Sequence, residues 1–301
     1  MGEIRIGTSG YSYLDWVGPV YPEGMKQDDF VGYYARLFGV VEINFTYYRM
    51  PTAGQFSRIM AMAGGGMGFA VKANEALTHK VDPATWREAA GRFLEALGPL
   101  REAGRLEAVL LQFPFSFHYD VDRRRYLDTL LGQFAGIPLA VEFRNSDWYN
   151  DRVIDAFRRR QVALAAMDMP SLKGLPPLME LVTAPLAYVR FHGRNEVNWW
   201  GSDAAARYDY RYSTDELLAW ADRLALMGEK AEKTLVFFNN HRRGQAADNA
   251  KELRDILGLP GPKADSGVAG RAVGGELFID NGRADDGGRT DDSARSDAGA
   301  P

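Results

Sequence analysis

The chain has no cysteine in its 301 residues. Disulfides, thiolate nucleophiles and thiolate metal ligands are therefore excluded. Histidine is scarce, at four residues. No HxH or HExxH spacing occurs, so no metal site is expected. The glycine pattern GxGxxG is missing after the first strand-like run, and with it the dinucleotide fingerprint; no cofactor is expected. No apolar run approaches the roughly 18–20 residues of a membrane helix, so no membrane partner is expected. The opening residues, MGEIRIG, hold no basic region followed by an apolar stretch. No secretory signal is read, and the expected location is cytoplasmic.

A large excess of one charge is also missing. The net charge is −4, from 36 basic and 40 acidic residues. Residues 261–301 carry five basic and eight acidic groups, and removing that −3 leaves residues 1–260 near −1. A body this close to neutral lacks the basic surface that tight nonspecific duplex binding requires.

Composition changes past Leu259. Residues 261–301 are rich in Gly, Ala, Asp, Arg and Ser, with one apolar cluster at Leu277-Phe278-Ile279. Such a segment buries too little to offset its ordering entropy. It is expected to be a disordered tail, leaving residues 1–260 as one domain.

Within that domain, short apolar runs alternate with helical patterns. Strands are expected at 3–7, 40–44, 68–72, 108–112, 138–143, 162–167, 186–191 and 234–238. Helical spacing places Phe30, Tyr34, Leu37 and Phe38 on one face of 28–38. Asp82-Pro83 has the form of a helix start. Ser213 to Glu216 has the form of a capping box. Residues 246–257 close the series. Eight strands alternating with helices over about 250 residues suit a (β/α)8 barrel. An open doubly wound sheet is the alternative.

The strand LAYVRF and its following HGR end on Arg190, His192 and Arg194, where a buried strand should be apolar. Alternation resolves this, because residues two apart share a face. Ala187, Val189 and Phe191 take one face; Tyr188, Arg190 and His192 take the other. The same split sets Val41 and Ile43 against Glu42 and Asn44. It sets Phe69 and Val71 against Lys72, Leu111 and Phe113 against Gln112, and Val141 and Phe143 against Glu142 and Arg144. In a barrel the outward face packs on helices, and the inward face opens at the carboxyl-end rim. A polar ring is therefore expected: Glu42, Asn44, Lys72, Gln112, Glu142, Arg144, Asp168, Arg190, His192, Asn239, Asn240 and His241. Lys72, Arg144 and Arg190 would suit an anion. Glu42, Glu142 and Asp168 would serve as bases or hold the cations, with His192 relaying protons. The segments 8–27 and 192–213 add many aromatic residues at the expected rim, suited to stacking or to small loop cores.

Seven stretches carry a family resemblance: GTSGYSYLDWVGPVYP (7–22), VEINFTYYRMP (41–51), FAVKANEALTH (69–79), LLQFPFSF (110–117), AVEFRNSDW (140–148), YVRFHGR (188–194) and FFNNHRRGQAADNA (237–250). Together, in that order, they resemble the YecE-like family, domain of unknown function 72. The resemblance implies a TIM-barrel-type fold and supplies no established reaction. Its recurrent motif positions add Ser9, Tyr48 and Trp148 to the candidate substrate-binding residues.

The expected function is that of an enzyme, a hydrolase or isomerase. It would take a small anionic substrate of the phosphorylated sugar or nucleoside type at the barrel rim. Catalysis is expected from Glu42, Glu142, His192 and Asp168. Binding is expected from Lys72, Arg144, Arg190, Gln112, Asn44, Asn239, Asn240, Tyr48, Trp148 and Ser9. A nucleic-acid binder with a cationic, aromatic mouth is the second reading, and a non-catalytic scaffold the third. The sequence does not fix the oligomeric state.

Overall fold

The computed structural model describes residues 2–200 and 204–262. The expected tail, including Leu277-Phe278-Ile279, falls outside the described residues. Nine strands are described: β1 (Glu3–Thr8), β2 (Val40–Ile43), β3 (Gly68–Lys72), β4 (Leu106–Phe113), β5 (Leu139–Phe143), β6 (Ala163–Leu164), β7 (Ala166–Asp168), β8 (Leu186–Phe191) and β9 (Lys233–Phe238). Every pairing is parallel. The strands form two sheets, ordered β1-β9-β8-β7 and β2-β3-β4-β5-β6.

All eight expected strands are present, within two residues at their ends. The one expected at 162–167 is broken into β6 and β7 at Ala165, whose N–H donates to the Val141 carbonyl at 2.9 Å. One residue past β1, Ser9 forms a parallel bridge with Glu42 of β2. That close approach needs a glycine: a Cβ on Gly7 would lie 2.1 Å from the Val40 carbonyl oxygen.

Helices follow most strands, as parallel crossovers require. The segment Phe30–Leu37 buries Phe30, Val31 and Tyr34, as its spacing predicts. Thr214–Lys230 starts on the expected capping box, with Ser213 and Glu216 exchanging side-chain and backbone bonds. Asp82-Pro83 opens a turn, and the helix itself begins later, at Trp86. There the Asp82 carboxylate accepts from the Ala84 N–H and its carbonyl from Trp86, so the first turn is preformed outside the helix. No helix among the described residues is long and apolar enough to cross a membrane.

Alternation along the strands builds two separate cores. Ile4, Ile6, Val41, Ile43, Phe69, Val71, Val109, Leu111, Val141, Phe143, Val189 and Val236 join helix residues such as Phe56, Phe93, Leu130, Trp220 and Leu253 in the larger one. Each fully buried large side chain of this kind contributes about 1.5–3 kcal/mol. The faces that the two sheets turn toward each other form the smaller core: Val40, Ala70, Ala108, Leu110, Ala140, Ala163, Ala165, Leu186, Tyr188, Leu235 and Phe237. Alanines from the five-stranded sheet leave room there for the rings of Tyr188 and Phe237. Close packing needs such matching of small against large. One step further along the same face, the apolar layer gives way to charge.

Candidate functional site

The inner face of β8 carries Tyr188, then Arg190, then His192. Arg190 donates to Glu42 Oε1 from one terminal nitrogen and to Glu142 Oε2 from the other, both at 2.7 Å. The Tyr188 hydroxyl donates to the second oxygen of Glu42, also at 2.7 Å. Arg144 donates through Nε to Glu142 Oε1. His192 Nε2 lies 3.3 Å from that same oxygen. Asn239, just past β9, places its amide nitrogen 3.2 Å from His192 Nδ1. Seven residues from strands β2, β5 and β8 and the ends of β5, β8 and β9 thus form one contact network. Glu42, Glu142 and His192 are fully buried, and Arg190 is 1% exposed.

Taking these charges out of water is costly unless each is paired and hydrogen-bonded. Here pairing and burial compete at Glu142, Arg190 and His192. Burial pushes the Glu142 carboxyl up, but Arg190 and Arg144 outweigh it and hold the group well below the usual carboxylate range. Burial works against charge on Arg190, yet Glu142 and Glu42 raise it well above its ordinary value. For His192 burial wins: with the Arg144 charge it pushes the imidazole down to about 3, against the pull of Glu142. His192 is therefore neutral near pH 7. With Nδ1 facing the Asn239 amide, the assigned tautomer carries its proton on Nε2, toward Glu142.

Other expected residues lie on the same face beside that network. Lys72 follows Ala70 along β3, and its ammonium stands 4.2 Å from the Tyr47 ring centroid. Gln112 lies opposite Glu142 in the β4–β5 register and donates to its own neighbour's carbonyl, that of Phe113. Ser9 bridges Glu42 through the backbone. Asn44, half-buried, ends β2 and begins the short helical turn Phe45–Tyr48. Lys72, Arg144 and Arg190 are the cations of this group and Glu42 and Glu142 its carboxylates. Several buried polar atoms here lack a hydrogen-bond partner: Ser9 Oγ, Arg190 Nε and His192 Nε2. Each is a donor or able to become one. Buried polar atoms are normally satisfied, and orphans clustered on one face mark a place where a ligand or water completes the bonding.

Four expected residues sit elsewhere. Asp168 lies on the opposite face of its strand, because Ala163, Ala165 and Met167 take the inner positions. Its carboxylate accepts from Arg194, Tyr212 and Trp220. Asn240 follows Asn239 and so faces away; it donates to the Tyr210 carbonyl and to Asn249. Trp148 is buried in the larger core, stacked 4.3 Å from the Phe143 ring, with its indole N–H donating to the Phe117 carbonyl. Tyr48 is 45% exposed and stands edge-on to Tyr47, with ring centroids 4.9 Å apart. Sequence reading also missed two members. Tyr188 shares the parity of Arg190, and that signal was available. Tyr208 reaches the site only by long-range packing.

Tyr208 comes from the segment after β8. Its ring centroid is 6.0 Å from that of His192, and its phenol is in hydrogen-bond contact with Arg144. Trp199 lies beneath it, with Arg144 and Arg207 at 5.9 and 5.8 Å from its ring. Most aromatics of the two long loops are buried: Trp16, Tyr21, Trp199, Tyr208 and Tyr212. Trp200 is the exposed one, 39% accessible, edge-on to Phe115 at 5.4 Å. Trp16, Tyr21 and Tyr212 thus join the larger core of the domain. Among the described residues, no three His, Asp or Glu side chains are grouped to hold a metal ion.

Comparison with known proteins places this geometry in a wider group. A family model described as "Protein of unknown function DUF72" matches residues 5–270. The UPF0759 protein YunF of Bacillus subtilis (strain 168) is 27% identical over 271 residues, covering 85% of this chain and 95% of the relative. The crystal structure of a DUF72 family protein from Thermotoga maritima MSB8 superposes with a TM-score of 0.78 at 36% identity, covering 85% of this chain and 99% of that one. A DUF72 family protein from Enterococcus faecalis V583 gives a TM-score of 0.77 at 26% identity, covering 88% and 100%.

Proposed function

The chain belongs to the DUF72 family, and we propose that it is an enzyme taking a small anionic substrate at the buried Glu42–Arg190–Glu142 network. The substrate would be a phosphorylated sugar or nucleoside-type molecule, and the reaction hydrolysis or isomerisation. We read the two sheets as halves of one closed (β/α)8 barrel. The Ser9–Glu42 bridge joins β1 to β2, and Ala165 alone separates β6 from β7. In such a barrel the network lies at the carboxyl-end mouth, where barrel enzymes place their chemistry.

The observation that carries this reading is the set of orphaned buried polar atoms beside cationic side chains. Ser9 Oγ and Arg190 Nε offer donors on a face that also carries Lys72 and Arg144. Preorganised donors of this kind suit an oxyanion. Arg190 is spent on two carboxylates, so Lys72 and Arg144 are the cations assigned to the anion, and Arg190 holds the glutamates in place. Glu142 is too acidic to serve as a base near pH 7. A bound anion beside Arg144 would offset the charge that depresses His192 and raise its basicity. That leaves His192 to move the proton once substrate is in place, accepting it at Nδ1 as the Asn239 amide lets that nitrogen go, with Glu142 stabilising the imidazolium and Glu42 held by Tyr188.

Thermal unfolding against a ligand panel tests this. The panel holds phosphate, sugar phosphates, nucleotides, short single-stranded oligonucleotides and divalent cations, with Lys72→Met beside the wild type. A ligand that binds only the folded state raises the melting temperature. Selective stabilisation by one small anion, lost in Lys72→Met, is the expected result. Stabilisation by oligonucleotides alone would replace this reading with nucleic-acid binding. No stabilisation by any anion would overturn it.

A further inference from the structure

Outside the network, the most tightly bonded charged group in the described structure is Asp168. It is 2% exposed and lies on the helix-covered face of β7. Oδ1 accepts from Arg194 Nε and from the Tyr212 hydroxyl, both at 2.8 Å. Oδ2 accepts from Arg194 Nη2 and from the Trp220 indole, both at 2.6 Å. The third nitrogen of the Arg194 fork, Nη1, donates to Glu216 Oε1 at 2.8 Å. Glu216 is itself the capping residue of Thr214–Lys230 and accepts from Tyr210. A bidentate guanidinium–carboxylate pair has fixed geometry, which a point charge does not supply.

This clamp grips the chain immediately after His192. The His192 N–H donates to the Asp168 carbonyl at 2.8 Å, and the Gly193 N–H donates to the Tyr212 hydroxyl at 2.8 Å. Gly193 has φ of +86°, and a Cβ there would lie 2.7 Å from the Tyr210 Cβ. Only glycine fits that turn. The turn sends His192 to the inner face and Arg194 to the outer one. The segment beyond Arg194 returns with Trp199 and Tyr208 against Arg144 and His192.

We propose that Asp168 and Arg194 are positioning residues for His192: the Asp168–Arg194 fork fixes the turn at Gly193, and with it holds the imidazole against Glu142 and Asn239 under Tyr208. Asp168 touches none of the residues of the inner network through its side chain, so it has no catalytic contact to make. It acts through the chain that it ties down. This inference concerns the site of the proposed function, but its test uses no substrate, so the two fail separately.

The test is nitrogen-15 NMR of the histidine side chains across a pH titration, in the full-length protein. The His192 signals are identified by their loss in His192→Gln. The groups facing His192 are Glu142, Arg144, Arg190 and Tyr208; those facing the fork are Glu216, Tyr210 and Tyr212. In the wild type, His192 is expected to stay in one neutral tautomer through the range where the chain remains folded. In Arg194→Gln the turn is released, and the imidazole is expected to populate both tautomers. Its titration midpoint is expected to rise by roughly one pH unit or more as water reaches it. Arg194→Lys keeps the charge without the fork and is expected to shift the midpoint in the same direction. An unchanged His192 tautomer and midpoint in Arg194→Gln, whatever happens to the melting temperature, overturns the proposal and leaves the fork as a purely structural pair. Should Arg194→Gln fail to fold, Arg194→Lys decides by the same criterion.

Discussion

Arg190 and His192 stand two residues apart on one face of β8, and the Glu142 carboxylate faces both. Burial works against charge on each. Arg190 keeps its charge because two glutamates accept from it. His192 stays neutral because burial, helped by the Arg144 charge, outweighs the pull of that carboxylate. A single buried network thus holds a fixed cation and a neutral imidazole side by side.

Removing the cation should be far more damaging than removing a surface charge. Arg190→Met leaves Glu42 and Glu142 buried without their shared partner. Breaking a buried pair in this way costs about 3–5 kcal/mol. Urea unfolding of the variant measures it. Adding Glu42→Gln and Glu142→Gln should recover part of the loss, because no uncompensated charge remains. A loss under about 1 kcal/mol, the range of exposed pairs, would contradict the network's burial.

Stability should fall on acidification earlier than carboxylates alone would cause. In the unfolded chain His192 titrates near its ordinary 6.5, and in the folded protein near 3. Between those values the unfolded state binds the extra proton, so the contribution is complete above 6.5 and is lost as pH falls toward 3. Glu142 acts in the same direction from its ordinary 4.5 downward, its contribution vanishing as pH falls through its depressed folded value. His192→Gln should flatten the upper part of this dependence by up to about 1.4 kcal/mol per pH unit. Urea midpoints measured across that window, in both proteins, check the slope.

Trp148 should prove structural. Its ring packs nearly parallel to those of both Phe143 and Phe117, on the helix side of the sheet. Trp148→Ala should cost about 3–5 kcal/mol. Any ligand that stabilises the wild type should still stabilise the variant by a similar increment, read as the shift in melting temperature. A selective loss of ligand response would put Trp148 back among the binding residues.

Gly193→Ala should destabilise more than a loop substitution normally does. The left-handed turn and the clash with Tyr210 combine, and strained backbone of this kind costs on the order of 1–3 kcal/mol. Calorimetric unfolding measures the loss. An alanine tolerated within about 0.5 kcal/mol would show that the turn is not constrained.

Much of this was readable from the sequence, and the failures have physical causes. Strict alternation placed Glu42, Glu142, Arg144, Arg190, His192 and Asn239 on one face, because each lies in a strand or directly follows one. It failed for Asp168, since VALAAMD offers small apolar residues at both parities and nothing marks which is inward. Asn240 could not join Asn239, because consecutive residues of an extended chain face opposite ways. Arg190 looked like a free cation because its partners come from strands nearly 50 and 150 positions away. Tyr188 reads as an ordinary apolar strand residue until its hydroxyl meets Glu42. Tyr208 depends on how a long loop folds back, which periodicity does not report.

The central claim, an anion site on the inner face, is tested most directly by calorimetric titration with inorganic phosphate and with whichever panel anion raises the melting temperature most. Three proteins are compared: wild type, Lys72→Met, and Arg92→Met as a control on an exposed helix position. Saturable binding is expected in the wild type and the control, and at least about tenfold weaker binding in Lys72→Met, equivalent to 1.4 kcal/mol or more. No saturable binding of any anion, or equal binding by all three proteins, would contradict the account.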